Sequence, residues 1–410
     1  MCKKKLFVTL WPLLIVSLAA CVGVTPTLEK PHAVDDGTSI SLQPSQTEPA
    51  VSGDLAAGSD IPAGSATNIP KEVSGTQTTT SATLPPEKPT PHDDSFQPAS
   101  IIKFSPGEIV TALVWSPDGS VLAVAAGDKL YLYDAQNFGR LGNIQVGSLT
   151  HSLAFSPAGD LLAAGSRDGL VRVWMYEDLI SDPKDPGVGP LWVLEAHKKG
   201  VNSVAFSVHG KYLASGGNDA VVRLWDTETG AVAGTLIGGT YAVPAIAFDP
   251  SGVLLAIVNG DVIRLRDIET QQIWGTIRAP THLYGITYSP DGSKLVSSDI
   301  NNNIYLWDPE RAYRSGVEVY PEPLILRGHA GRENTYQALV WDVAFHPGGA
   351  WLASAGGDGT VRMWDIPSGT FINTISDHSA GVTSVAFNPE GSRLASGGLD
   401  GIVYVWEVDQ

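Results

Sequence analysis

Between His197 and Asp226 the chain reads HKKGVNSVAFSVHGKYLASGGNDAVVRLWD. Val201, Val204 and Phe206 open an apolar run, and Val208-His209-Gly210 turns it. Tyr212 to Ser215 makes a second run, Gly216 to Asp219 a tight turn, and Val221 to Trp225 a third run. Short β-branched and aromatic runs bounded by Gly, Asn and Asp predict strand, turn, strand, turn, strand. Nearly the same words return from His378, as HSAGVTSVAFNPEGSRLASGGLDGIVYVWE, and between His329 and Asp365, ending in AFHPGGAWLASAGGDGTVRMWD. The aromatic of the third run recurs at Tyr133, Trp174, Trp225, Trp307, Trp364 and Trp406, with Arg266 at the same point of one copy. The steps are 41, 51, 41, 41, 57 and 42 residues, which marks seven copies of one repeat over about residues 100 to 410.

No single copy can bury both faces of its strands, so the copies must stack on one another. Pro-x-Gly turns, such as SPDG at Ser116 to Gly119 and at Ser289 to Gly292, supply a preset φ and a permissive glycine.

The order of a His, then VAF-x-P-x-G, then LAS-G-G-x-D, then V-x-W-D resembles the WD-repeat β-propellers. The resemblance implies an all-β fold, a seven-bladed β-propeller of four-stranded antiparallel blades, over residues 99–410. The last repeat ends at Trp406 without room for a fourth strand. A short apolar run near residues 100–105, Ile101 to Phe104, is therefore expected to supply it and close the ring. Three repeats carry a polar quartet: His197, Ser215, Asp219 and Trp225; His329, Ser354, Asp358 and Trp364; His378, Ser396, Asp400 and Trp406. In the family the matching residues hydrogen-bond in series. The chemistry suits that role, because Trp only donates, carboxylate only accepts, and Ser and His do both.

Four copies depart from the pattern. The first and fourth have a shorter turn and carry Tyr133 and Arg266 for Trp. The second has Ala164 for Ser and no His, and the fifth has Asn301 for Asp. Insertions explain the long steps: Glu177 to Pro190, Pro309 to Pro323 and Gly331 to Gln337. Asp182 and Asp185 are too few carboxylates for a calcium loop, so the first insertion reads as a plain surface loop.

The N-terminus is a different material. Met1 to Lys5 is basic, Leu6 to Ala20 is apolar and too short to span a bilayer comfortably, and Leu18-Ala19-Ala20-Cys21 follows. This resembles the lipobox of bacterial lipoproteins. It implies a signal peptide over residues 1–20, cleavage before Cys21, and thioether lipidation and acylation of Cys21. An ordinary cleaved signal and an uncleaved anchor are the other readings. Residues 21–98 are rich in Ser, Thr and Pro, as in TQTTTSATLPPEKPTPHDD, and are expected to be a disordered linker. Such a coil would separate its ends by about 50 Å. The expected location is outside the cytoplasmic membrane of a bacterium, lipid-anchored to the cell membrane or the outer membrane, at the cell surface or in the periplasm.

Charge narrows the partners. The chain holds 43 acidic and 26 basic side chains, for a net charge of −17. A strongly acidic domain whose sequence shows no Lys/Arg cluster argues against nucleic acid. The only cysteines, Cys2 and Cys21, leave the propeller without a disulfide framework.

Aligning the repeats puts one position just inside each first strand, at the channel-side face: Thr111, His151, Asn202, Pro244, Tyr284, Trp341 and Thr383. The family resemblance implies partner contacts there and just before the turn Asp, at Arg167, Asn218, Gly357 and Leu399, with Ile300 before Asn301. Tyr241, His282 and Tyr336 add aromatic and imidazole rings nearby. Tyr, Trp and Arg are the residue types that dominate binding hot spots, so the expected partner face centres on Tyr284 and Trp341.

The leading reading is a non-enzymatic scaffold for a protein or peptide partner, a monomeric propeller with no cofactor and no metal. The alternative is a receptor for a small ligand or glycan at the channel mouth. An enzyme is the third class. A Ser, a His and an Asp together invite a hydrolase reading. Three equivalent copies fit an architectural device better, and no nucleophile elbow, HExxH, phosphate loop or Cys/His cluster is present in the sequence.

Overall fold

A computed structural model of the chain describes residues 98–105, 107–181, 188–237, 239–315, 318–319, 322–331 and 339–408. The expected signal segment, Cys21, the tether and Tyr336 lie outside the described residues. Seven antiparallel sheets follow one another along the chain. Their first strands are Val110–Trp115, Thr150–Phe155, Val201–Phe206, Ile246–Phe248, Leu283–Tyr288, Val340–Phe345 and Val382–Phe387. Each first strand touches the next, and the seventh touches the first, so the sheets form the blades of a closed seven-bladed propeller.

Burial peaks at the second strand of each blade and explains the sequence of each strand. The second strands Val121–Ala126, Leu161–Ser166 and Leu254–Asn259 are buried at every position. Each is covered by a neighbouring blade on both faces, so VLAVAA reads as a continuous apolar run rather than an alternation. The outer strand Arg140–Gln145 alternates and leaves its polar residues in solvent. The core is divided accordingly into clusters that sit between blades. Leu130 and Leu132 of blade one meet Leu162 and Trp174 of blade two, and the pattern repeats at each junction. At the last junction Val110 and Leu113 meet Ala395, Val403 and Val405, with Ile102 and Phe104 packed against them.

The outer strand of blade seven is Pro98–Lys103, the first described strand of the chain. It pairs antiparallel with Ile402–Glu407, Ile102 opposite Val403. The ring thus closes within one blade built from both ends of the described chain, and every blade has at least four strands.

The insertion after blade two's third strand is more than a plain surface loop. It opens with a short helix, Tyr176–Ser181, whose Leu179 is buried in the cluster between blades one and two. The insertion after blade five's third strand also opens with a helix, Pro309–Ser315. It then adds a strand, Glu318–Val319, parallel to Ile273–Arg278, which becomes the fifth strand of blade four's sheet. Both helices dock on the outer strand of the preceding blade, and both dock at a glycine. A Cβ on Gly142 would stand 3.3 Å from the Leu179 carbonyl oxygen, and one on Gly275 would stand 3.0 Å from that of Ala312.

Candidate interaction face

The polar series come first, because they set the loops that build the face. In blade three Trp225 Nε1–H donates to Ser215 Oγ at 3.1 Å, His197 Nε2 lies 3.0 Å from that oxygen, and His197 Nδ1 lies 2.7 Å from Asp219. Donor chemistry orders the chain. Trp must donate and the carboxylate must accept, so Ser215 donates to Nε2 and Nδ1 carries the proton. Blade six repeats the series at 2.9 Å, 2.7 Å and 3.1 Å through Trp364, Ser354, His329 and Asp358. Burial alone would raise the Asp358 carboxyl, but the hydrogen bond and charge of His329 and the N–H of Ala330 outweigh it and bring it down to about 2. Burial pulls the His197 imidazole below its ordinary value.

Blade seven corrects the expected quartet. Ser396 and Asp400 bond His378 at 2.7 Å and 3.0 Å, but the buried indole N–H of Trp406 has no partner. In blade two the buried Trp174 N–H is also unpaired, and there the cause is plain: Ala164 stands where the hydroxyl would be. Blade five keeps the Trp307 to Ser297 bond at 2.8 Å but moves its turn carboxylate. Asp299, rather than position 301, accepts from Tyr305, from the Asn303 amide and from the backbone of Asn301 and Asn303. Sequence alignment missed it because the carboxylate shifts by two residues. Ser215, Ser354 and Ser396 are fully buried, so no substrate reaches their hydroxyls.

The channel-side positions fall into two roles. Three of them tie blades together. Thr111 Oγ1 donates to the Thr150 carbonyl at 2.5 Å, Asn202 Nδ2 to that of Val243 at 3.1 Å, and Thr383 Oγ1 to that of Val110 at 2.8 Å. In each case the acceptor opens the next blade. In blades two, three, six and seven the residue after the channel-side position makes a stitch in the same direction. Ser152 accepts the N–H of Val204, Ser203 that of Ile246, Asp342 that of Val385 and Ser384 that of Leu113. These residues were not singled out from sequence. Their signal was a polar side chain just ahead of each strand's apolar end, at the point where the register shifts.

Residues at and beside the channel-side positions gather into three groups, and Asn202 serves in both roles. Tyr284 and Trp341 meet edge to face, centroids 5.6 Å apart, and both are half-buried. Burial, then the nearby Asp342, pushes the Tyr284 phenol up to about 12. Trp341 also lines an open groove of about 740 Å³ between blades six and seven, with Gly357, Ser379 and Leu399. Tyr241 and His282 form a second T-shaped pair, 5.0 Å apart. His151, Arg167, Asn202 and Asn218 form the third group, on blades two and three. Asn202 donates to Asn218 at 2.9 Å, and Asn218 donates to the Lys199 carbonyl at 3.0 Å. Burial and then the Arg167 charge hold His151 below its ordinary pKa. Sequence reasoning placed the expected centre on Tyr284 and Trp341, and the structure brings those two rings into contact.

Closed blades and the Trp–Ser–His–Asp series together define a repeat propeller. Six stretches, residues 99–134, 145–175, 189–226, 274–308, 323–365 and 369–407, match the family model for the WD domain, G-beta repeat. The chain belongs to the WD-repeat family. The blade without a match of its own is blade four, where Arg266 takes the place of the Trp. Among curated proteins, the chain is 31% identical over 184 residues to WD repeat-containing protein SL1-17 of Schistosoma mansoni, covering 44% of this chain and 56% of that protein. It is 26% identical over 253 residues to the serine-threonine kinase receptor-associated protein of Gallus gallus, covering 62% and 65%. It is 28% identical over 273 residues to cell division cycle 20.1, cofactor of APC complex, of Arabidopsis thaliana, covering 63% and 54%. The chain thus spans about half to two thirds of the length of these relatives.

Proposed function

We propose that this chain is a non-catalytic scaffold that holds a protein or peptide partner on the channel-mouth face of its propeller. In this reading acyl chains on Cys21 tether it to the outer side of a bacterial cytoplasmic membrane or to an outer membrane. The observation that carries the binding face is Trp341. It combines a large ring held against Tyr284 with an edge on an open groove whose other walls are mostly Gly, Ala and Ser. A pre-positioned aromatic beside accessible backbone suits an extended peptide, which uses main-chain hydrogen bonds for affinity and a ring for anchorage. The burial of all three Ser hydroxyls supports the non-catalytic part. Tethering rests on the lipobox resemblance at Leu18 to Cys21.

The volume of the groove also falls within the range of roughly 300–1,000 Å³ that small-ligand pockets occupy, which keeps a glycan or small molecule as the second reading. Proximity labelling in intact cells separates the two, comparing wild type with Trp341→Ala and Cys21→Ala. Specific protein neighbours that vanish with Trp341→Ala are expected, and Cys21→Ala is expected to change the set by releasing the chain from the membrane. Identical neighbours in all three would overturn both the face and the anchor. Binding on a glycan array without protein neighbours would favour the second reading.

A further inference from the structure

Three consecutive loops on the channel-mouth face bring together cations that lie far apart in the sequence. Arg167 is in the turn of blade two, Lys198 and Lys199 are in the loop entering blade three, and Asn218 is in the turn of blade three. The loops are locked to each other. Gly169 O accepts the N–H of Ala196 and of His197, Asn218 N–H donates to the Gly200 carbonyl, and a Cβ on Gly200 would stand 3.1 Å from the Arg167 carbonyl oxygen. Arg167, Lys198 and Lys199 are exposed.

Two carboxylates of this sector are already engaged. Asp168 pairs with Arg172 at 2.7 Å. Asp219 is held by His197, by Arg223 at 3.4 Å and by the Lys198 backbone N–H. Glu195 is exposed, but it ends the outer strand Trp192–Glu195, on the side away from the channel. No ion pair is formed by Arg167, Lys198 or Lys199 among the described residues. Among the described residues, three cations without an ion pair therefore stand close together on a chain whose net charge is −17. Elsewhere on this face charges cancel in place, as Arg278 does with Asp261 at 2.7 Å. Asn202 donates to Asn218, and Asn218 donates to the Lys199 carbonyl, so the two amides brace the loop that carries the lysines.

We propose that blades two and three form a docking sector for an acidic peptide segment of the partner, its carboxylates taken by Arg167, Lys198 and Lys199. The inference rests on the channel-mouth reading above and adds the partner's charge. An acidic peptide fits better than a nucleic acid. A polyanion long enough to gain from counterion release would run off three cations onto a surface of its own sign, whereas a short acidic stretch ends where the cations end. Charges of this kind act mainly by steering, and they are screened over about 8 Å at physiological salt.

Fluorescence anisotropy of a labelled oligoglutamate peptide with the full chain tests this. Wild type is expected to bind, more weakly as salt rises. The combined variant Arg167→Gln, Lys198→Gln, Lys199→Gln is expected to lose about tenfold or more in affinity. Its melting temperature should match wild type, since all three side chains are exposed. The charge-conserving variant Arg167→Lys, Lys198→Arg, Lys199→Arg should retain binding, as should Lys211→Gln on the opposite face. Equal binding by wild type and the combined variant, or no binding by wild type, overturns the proposal. So does oligothymidylate binding as tightly through the same three residues, which would make the sector a phosphate surface. If oligoglutamate fails while the Trp341-dependent neighbours persist, the acidic partner is wrong and the channel-mouth reading stands.

Discussion

The carboxylate of Asp342 in blade six accepts the backbone N–H of Val385 in blade seven at 3.1 Å and the hydroxyl of Ser384 at 3.0 Å. Ser384 in turn accepts the N–H of Leu113 in blade one at 3.3 Å. A single polar thread thus crosses two blade junctions, including the one between the last blade and the first. Such bonds give direction to an interface that apolar packing leaves free to slide.

Asp342 makes that thread pH-sensitive. Burial raises its carboxyl to about 6, against the opposing bonds from Val385, Ser384 and Val343. The folded state then binds a proton more readily than the unfolded chain, whose aspartates titrate near about 4. Stability from this group is therefore present below about pH 4 and declines as pH rises through about 6. Denaturation of wild type against Asp342→Asn across that window should show wild type losing ground with rising pH, by at most about 3 kcal/mol. A difference that stays constant with pH would show that the carboxyl is not shifted.

Asp358 behaves with the opposite sign. His329 and the Ala330 N–H hold it at about 2, so its contribution is present above the ordinary carboxylate range and is lost as pH falls through about 2. Removing the ring, by His329→Ala or His197→Ala, leaves a buried Ser and an Asp without their shared partner and should cost about 1–3 kcal/mol. Thermal melting at neutral pH checks this, and an unchanged midpoint would mean that the series carries no stability.

Blade two offers the converse experiment. Ala164 faces Arg172 across the strand pair, as Ser354 faces Arg362 in blade six, where Trp364 finds its acceptor. Ala164→Ser should place a hydroxyl beneath the unpaired Trp174 N–H and stabilise the protein by about 1 kcal/mol or less, since the new hydroxyl must itself be desolvated. In a Trp174→Phe background the same change should give no gain. A gain of equal size in both backgrounds would mean that the indole is not the beneficiary.

The contrast between blades shows what the sequence carries. The repeat of apolar runs and the Trp at Trp225, Trp307 and Trp364 made the ring and its blade count legible, because strand period and blade stacking are local consequences of residue order. Asp299 was not legible, since a turn that recruits a carboxylate two residues early breaks the spacing by which the others are found. Nor was the stitching by Ser152, Ser203 and Asp342, whose partners lie a whole blade away. The unpaired Trp406 keeps every residue of the motif and loses a bond through geometry alone. The cations at Arg167 and Lys198 share a face only because one blade folds against the next.

The docked helices make the last prediction. Pro309–Ser315 lies on blade four's outer strand because Gly275 has no side chain, and a Cβ there would meet the carbonyl of Ala312 at 3.0 Å, with the carbonyl carbon and Cβ of Ala312 at 3.1 Å. Ala312 is buried in the cluster between blades four and five, so the helix cannot shift outwards without exposing it. Gly275→Val should therefore lift the helix, at a cost of about 1–3 kcal/mol in local packing. The blade itself should survive, because the strand pairing of Ile273–Arg278 with Val262–Asp267 does not depend on that side chain. Limited trypsin digestion reads this directly. Cleavage after Arg311, within the helix, should speed up in the variant while the core fragment resists as in wild type. An unchanged rate at Arg311 would mean that the helix is held by contacts other than its seat on Gly275.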